Sequence, residues 1–105
     1  RAHFHHGLAL AHAGMLQQAA EAFEHAVSLE PGDPGYLAEF AAVRLEQGAH
    51  QAALELSSEA INTLPAFLRA HEIRIQALEA LGATEALDRA REEAARAGMR
   101  LEGQR

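Results

Sequence analysis

Apolar positions recur at intervals of three and four along most of the chain. Leu16, Ala19, Ala20, Phe23, Ala26 and Val27 form one such stripe. Ala53, Leu56, Ala60 and Leu64 form another, and Ile75, Leu78 and Leu81 continue a further one. An α-helix turns once every about 3.6 residues, so this spacing gathers the apolar side chains on one helical face. No stretch alternates apolar and polar residues as a half-buried strand does. Glycine and proline punctuate the stripes. Gly14, Gly48 and Gly82 read as helix stops, because glycine enters the left-handed region at little steric cost. Pro31 and Pro65 stand where a helix has already ended, and Asp33-Pro34 reads as the N-cap and first position of the next helix. The pattern predicts six helices, at about 1–13, 16–29, 34–47, 50–63, 67–81 and 84–97.

The punctuation has a period. Gly14, Gly48 and Gly82 are spaced by 34 residues, as are Ala26, Ala60 and Ala94. Pro31 and Pro65 keep the same interval, and so do Ala19 and Ala53. The glycine and proline columns weigh most, since alanine is common throughout. A fixed period of this length marks stacked supersecondary units, each burying its apolar face only against its neighbours.

Helix–turn–helix units of this length resemble the tetratricopeptide repeat (TPR). Its pattern is Trp-x2-Leu-Gly-x2-Tyr, then Ala-x3-Phe, then Ala, then Pro. The first unit reads His3-x2-His6-Gly7-x2-Leu10, Ala19-x3-Phe23, Ala26 and Pro31. The second reads Leu37-x2-Phe40-Ala41-x2-Arg44, Ala53-x3-Ser57, Ala60 and Pro65. The third reads His71-x2-Arg74-Ile75-x2-Leu78, then Gly82 and Ala94, with Met99 where a proline is due. Its last helix fits either Leu87-x3-Arg91 or, with one residue deleted, Ala86-x3-Ala90. The resemblance implies an all-α, right-handed α-solenoid of about three units, near 1–33, 34–67 and 68–99, with a charged tail at 100–105. Small residues at Gly7, Ala41, Ala19, Ala26, Ala53 and Ala60 let paired helices approach closely. Phe23 then fills the space between units.

Composition narrows the functional classes. Of 105 residues, 61 are Ala, Leu, Glu or Arg, a helical-array composition that leaves little for a β-sandwich or barrel. The formal charge of −6 disfavours nucleic acid as the main partner. Arg89, Arg91, Arg96, Arg100 and Arg105 gather at one end. Asp88, Glu92, Glu93 and Glu102 interleave them, and no aromatic is there for base stacking. Glu85–Arg89 and Glu92–Arg96 read as i,i+4 pairs on a solvated helix. There is no Cys, so no disulfide or thiolate site forms. No apolar run is long enough to span a membrane, and a soluble protein is expected, with the cytoplasm favoured over the periplasm. Lys is absent while Arg occurs nine times, which fits the codon usage of a GC-rich bacterium. The chain starts without Met and without an N-cap before its first apolar stripe, as expected of a piece of a longer protein.

Candidate chemistry is sparse. Ser28, Ser57 and Ser58 sit inside helices with no His–acid partner implied, and no glycine-rich phosphate loop follows a strand. Neither catalysis nor a cofactor is expected. His3, His5, His6 and His12 crowd the first helix, but each helical face offers two donors at most, where a metal site wants three or four. No metal site is expected.

By the TPR resemblance, the first helix of each unit lines a concave groove that binds extended or helical peptides. The groove positions are Phe4, His5, Leu8 and His12, then Ala38, Glu39, Ala42 and Glu46, then Arg69, Glu72, Ile73 and Gln76. This mixture of apolar residues and acids suits a partner segment with apolar anchors and Lys or Arg. TPR domains that grip the free carboxylate of chaperone tails use Lys, Asn and Arg there. The matching positions hold Phe4, Leu8, Glu39, Arg69 and Ile73, of which only Arg69 qualifies. The leading expectation is therefore a non-catalytic scaffold or adaptor. Two alternatives stay open: self-association through the array ends, giving a homo-oligomer, and a regulatory or targeting arm of a larger enzyme.

Overall fold

Three helical hairpins follow one another in the computed structural model, which describes residues 2–103 and the side chains of 2–98. They pair α1 (Ala2–His12) with α2 (Leu16–Leu29), α3 (Pro34–Glu46) with α4 (His50–Thr63), and α5 (Leu68–Leu81) with α6 (Thr84–Gly103). No strand occurs among the described residues. The first five helices lie where the periodicity places them, to within a residue or two. Each helix packs on the next in sequence, and the first helices α1, α3 and α5 also touch in succession. This stacking is an α-solenoid of about three repeats.

The three tight turns are the same turn. Gly14, Gly48 and Gly82 have φ of +80°, +81° and +70°. Behind each, the following N–H reaches back to a carbonyl five residues earlier: Met15 to Leu10 at 2.9 Å, Ala49 to Arg44 at 2.9 Å, and Ala83 to Leu78 at 3.2 Å. The glycine N–H itself bonds to Ala11, Leu45 or Glu79. This double closure is the Schellman motif, which satisfies carbonyls a helix end leaves orphaned.

The two longer turns differ from each other. Asp33 caps α3, its carboxylate accepting the Tyr36 N–H at 3.1 Å, with Pro34 at the first helical position. Before α5, Phe67 offers no side-chain cap. There the buried His71 lies 2.8 Å from the Pro65 carbonyl through Nε2, and 3.5 Å from Arg74 through Nδ1. A carbonyl can only accept, so Nε2 carries the proton, and Nδ1 is left to face the guanidinium. His71 stands one period after Leu37, which is also buried. A polar residue at this packing position is tolerated because it ties down the turn.

Alanine builds the contact lines. Ala19, Ala53 and Ala60 are fully buried, as are Ala38, Ala41, Ala70, Ala77 and Ala97 on neighbouring helices. Phe23 joins Ala19, Ala20, Phe40 and Val43 in one cluster, with Phe4 and Leu8 against it. Full burial of a Phe contributes about 1.5–3 kcal/mol. Ser57 occupies the next-unit column of Phe23. It is buried too, and its hydroxyl donates to the Ala53 carbonyl at 2.8 Å.

The last hairpin needs no deletion. α6 begins at Thr84, one period after His50 and two after Leu16, and its turn repeats the others. Arg91, in the Phe23 column, is exposed and reaches Glu79 of α5 at 3.3 Å. The i,i+4 pairs expected on α6 do not form within 4.0 Å among the described side chains; its paired charges turn to α5 instead, as Arg91–Glu79 and Glu93–Arg74. With Met99 in place of a helix-ending proline, α6 runs on to Gly103, beyond the expected end near 97. The side chains of the charged tail at 100–105, with Arg100 and Arg105, lie outside the described residues, as does that of Met99.

Candidate protein-binding face

The first helices α1, α3 and α5 lie in succession. A depression of about 110 Å³ spans them. It gathers Leu8 and His12 from α1, Glu39, Ala42 and Glu46 from α3, and Arg69 from α5, all expected groove positions. Ala11, Phe23 and Val43 complete its floor. Phe23 is expected from the sequence as a packing residue only; Ala11 and Val43 are not singled out there.

Other expected positions depart from the groove. Ala38 is 0% exposed and Ile73 is 4% exposed. Both belong to one buried cluster with Ala41, so neither can present a side chain to a ligand. They lie where α3 and α5 meet, and that contact covers them. Phe4 is half-buried, its ring stacked on Tyr36 at 4.5 Å and 5.7 Å from Phe23. His5, Glu72 and Gln76 are exposed but do not line the depression.

The charge of this face also differs from expectation. Glu39 is engaged: Arg69 donates from Nη2 to Oε1 at 2.9 Å and from Nε to Oε2 at 3.3 Å, a forked pair across α3 and α5. Glu46 and Glu72 remain exposed, without an ion pair within 4.0 Å among the described side chains.

Two further hollows lie away from this depression. The first, about 500 Å³, is bounded by His3, His6 and Leu10 of α1 and by Gln18, Glu21, Ala22 and His25 of α2. The His3 and His25 rings are 4.0 Å apart between centroids. The other, about 250 Å³, lies where Leu54 and Ser58 of α4 meet α5 and α6. It holds the Arg74–Glu93 pair at 2.6 Å, in which Arg74 is 14% exposed. The hydrogen bond from Arg74 draws the Glu93 carboxyl below its usual value, against the opposing pull of desolvation.

No protein-family model matches the sequence, and no curated protein does. Solved structures do match. The chain superposes on MamA with a TM-score of 0.93 at 22% identity, covering 97% of this chain and 60% of that one. The Arabidopsis OM64 TPR domain gives 0.86 at 20% identity, over 91% and 79%. The second TPR of Spaghetti (RPAP3), bound to the HSP90 peptide SRMEEVD, gives 0.85 at 17% identity, over 90% and 87%. The fold is that of a TPR domain. On this fold, the depression lies across the first helices of all three hairpins, the largest hollow lies between α1 and α2, and the third lies where α4 meets α5 and α6. The chain spans about three fifths of the length of MamA and of the Aspergillus fumigatus Sgt2 TPR domain.

Proposed function

We propose that this chain is a non-catalytic protein-interaction module that takes a peptide or protein segment on its concave face. The reading rests on one observation: three helices of a TPR fold bring six expected groove residues to a single depression. Leu8 and Ala42 supply apolar contact there, and Glu46 supplies a carboxylate at its rim. The exposed Glu72 adds a second acid on α5. Such a surface suits a segment carrying an apolar anchor beside Lys or Arg.

An acidic tail is the poorer fit. The Spaghetti TPR neighbour is bound to an acidic peptide, SRMEEVD. In this chain the one arginine lining the depression is already forked onto Glu39. A carboxylate ligand would have to displace Glu39 from Arg69 and leave it nearby as an unpaired like charge.

The test compares the native chain with Glu46→Lys/Glu72→Lys in capture from source lysate, followed by titration of the captured partner. Both variant sites are exposed, so the helical spectrum should stay unchanged. Loss of the partner, with native affinity falling as salt rises, is the expected result. Equal capture by both proteins sinks the concave-face reading.

A further inference from the structure

The third hairpin departs from the second in how it fills the space between its helices. Phe40 on α3 and Leu56 on α4 pack together in one apolar cluster. One period later the same columns hold Arg74 on α5 and Ala90 on α6. A guanidinium stands in place of the ring and a methyl group in place of the leucine, and both line the hollow of about 250 Å³. Leu54, Leu78 and Ala86 complete its apolar wall, while Ser58, Arg89 and Glu93 join Arg74 as its polar part.

The polar part is out of balance. Arg74 is the more buried of the two arginines that hold a carboxylate between helices of this region, 14% exposed against 49% for Arg69. Arg69 nevertheless engages both Nε and Nη2 on Glu39. Arg74 reaches its partners among the described residues through Nη2 alone, Glu93 at 2.6 Å and His71 Nδ1 at 3.5 Å. Its Nε is buried without a partner. Burial calls for the reverse, since a donor removed from water needs an acceptor from elsewhere. Arg89 is exposed and forms no ion pair within 4.0 Å among the described side chains. Two guanidiniums thus face one carboxylate, a surplus of one positive charge in the lining. Arginine keeps its charge at any ordinary pH, so the surplus is permanent.

A hairpin stacked next along the array does not close such a place. Glu55 and Glu59 on α4 stand one period before Arg89 and Glu93. With α5 packed directly on α4, both stay exposed. The mouth of the hollow is therefore a property of the repeat.

We propose that this hollow binds a small organic monoanion, a carboxylate carried on a compact apolar body. Its carboxylate lies between Arg74 and Arg89 and accepts from the Ser58 hydroxyl, which leaves two guanidiniums facing two carboxylates. The planar fork of a guanidinium matches the two oxygens of a carboxylate. A phosphate dianion is the poorer fit, because Glu93 already holds a like charge in the same lining. A cavity of about 150 Å³ is enough for benzene, so this hollow has room for a ring or a short branched chain together with its carboxylate. It shares no residue with the depression across α1, α3 and α5, and is independent of whatever binds there.

Benzoate is the probe. Titrated into the whole chain and followed by amide NMR shifts, it should saturate, with the shifts centred on Ser58, Arg74 and Ala90, and it should raise the melting temperature. Benzyl alcohol, the same ring without the charge, should bind about tenfold more weakly or worse, and so should inorganic phosphate. Arg89→Ala should lose about the same factor, and Ser58→Ala a few-fold. Arg91→Ala removes an equal charge from the same helix outside the lining, and should bind benzoate as the native chain does. Both arginines are exposed, and circular dichroism checks the fold of each variant. Benzoate shifts that never saturate overturn the proposal, and mean that water alone fills the hollow. Equal binding of benzyl alcohol overturns it in favour of a plain apolar crevice. Benzoate affinity that is unchanged in Arg89→Ala, or that falls alike in Arg89→Ala and Arg91→Ala, overturns it as well.

Discussion

A single methyl group separates Gly7 from collision. A Cβ built there would stand 2.6 Å from Cε1 of Phe23 and 2.7 Å from Cδ1. The ring cannot retreat freely, because Ala19, Ala20, Phe40 and Val43 pack around it. Gly7→Ala should therefore destabilise the chain by about 1–3 kcal/mol, the usual range for overpacking, read from urea unfolding. Adding Phe23→Leu should recover part of that loss, so the two changes will be less than additive. The same columns hold Ala41 with Ser57 in the next hairpin, a larger residue on the first helix and a smaller one on the second. Volume is shared out differently in each unit, which is why the repeat motif reads as degenerate. Gly7 was legible as a close-approach position; its partner was not, because the motif itself does not name the contact.

The helix ends give a matched pair of glycines. Gly48 has φ +81°, whereas the Gly32 backbone lies outside the left-handed region with open space around a built Cβ. Gly48→Ala should cost about 1 kcal/mol, since alanine must be forced into the left-handed region. Gly32→Ala should be neutral or stabilise by up to about 1 kcal/mol, by restricting the unfolded chain. Thermal melts of the two variants beside the native chain decide both. Helix boundaries were readable from sequence because glycine and proline act locally, within a turn of where they stand. Ala38 and Ile73 were misplaced because their burial comes from contact between α3 and α5, which single-helix periodicity does not encode. The Glu39–Arg69 fork joins residues 30 apart. Whether two exposed charges meet at that distance depends on the stagger of the stacked hairpins, so no local pattern announces it. The run of α6 to Gly103 was foreshadowed by the missing proline at Met99, a signal read only as a gap in the motif.

Among the described residues, the Glu93–Arg74 pair is an acid-sensitive contact. Glu93 titrates below its ordinary 4.5 when folded, because Arg74 donates to it. A carboxyl depressed in this way adds stability above the unfolded value and loses it as pH falls through the folded one. Glu93→Gln should therefore melt lower than the native chain near neutrality. The gap should close below pH 4.5, the ordinary carboxyl value. A gap that persists unchanged into acid would show that the substitution acts through packing. The pair anchors α6, whose buried side chains among the described residues are Ala90 and Ala97, so its loss should be felt first as fraying of that helix.

The row of first helices is fastened at two seams, and the fasteners at their edges differ in kind. Between α1 and α3 it is a stacked ring pair, Phe4 on Tyr36; between α3 and α5 it is an ionic fork, half exposed on the arginine side. Dissolved ions screen the second and leave the first untouched. Electrolyte therefore unfastens only the rim of the later seam: beneath the fork Ala38, Ala41 and Ile73 stay buried and hold α3 against α5 whatever the medium.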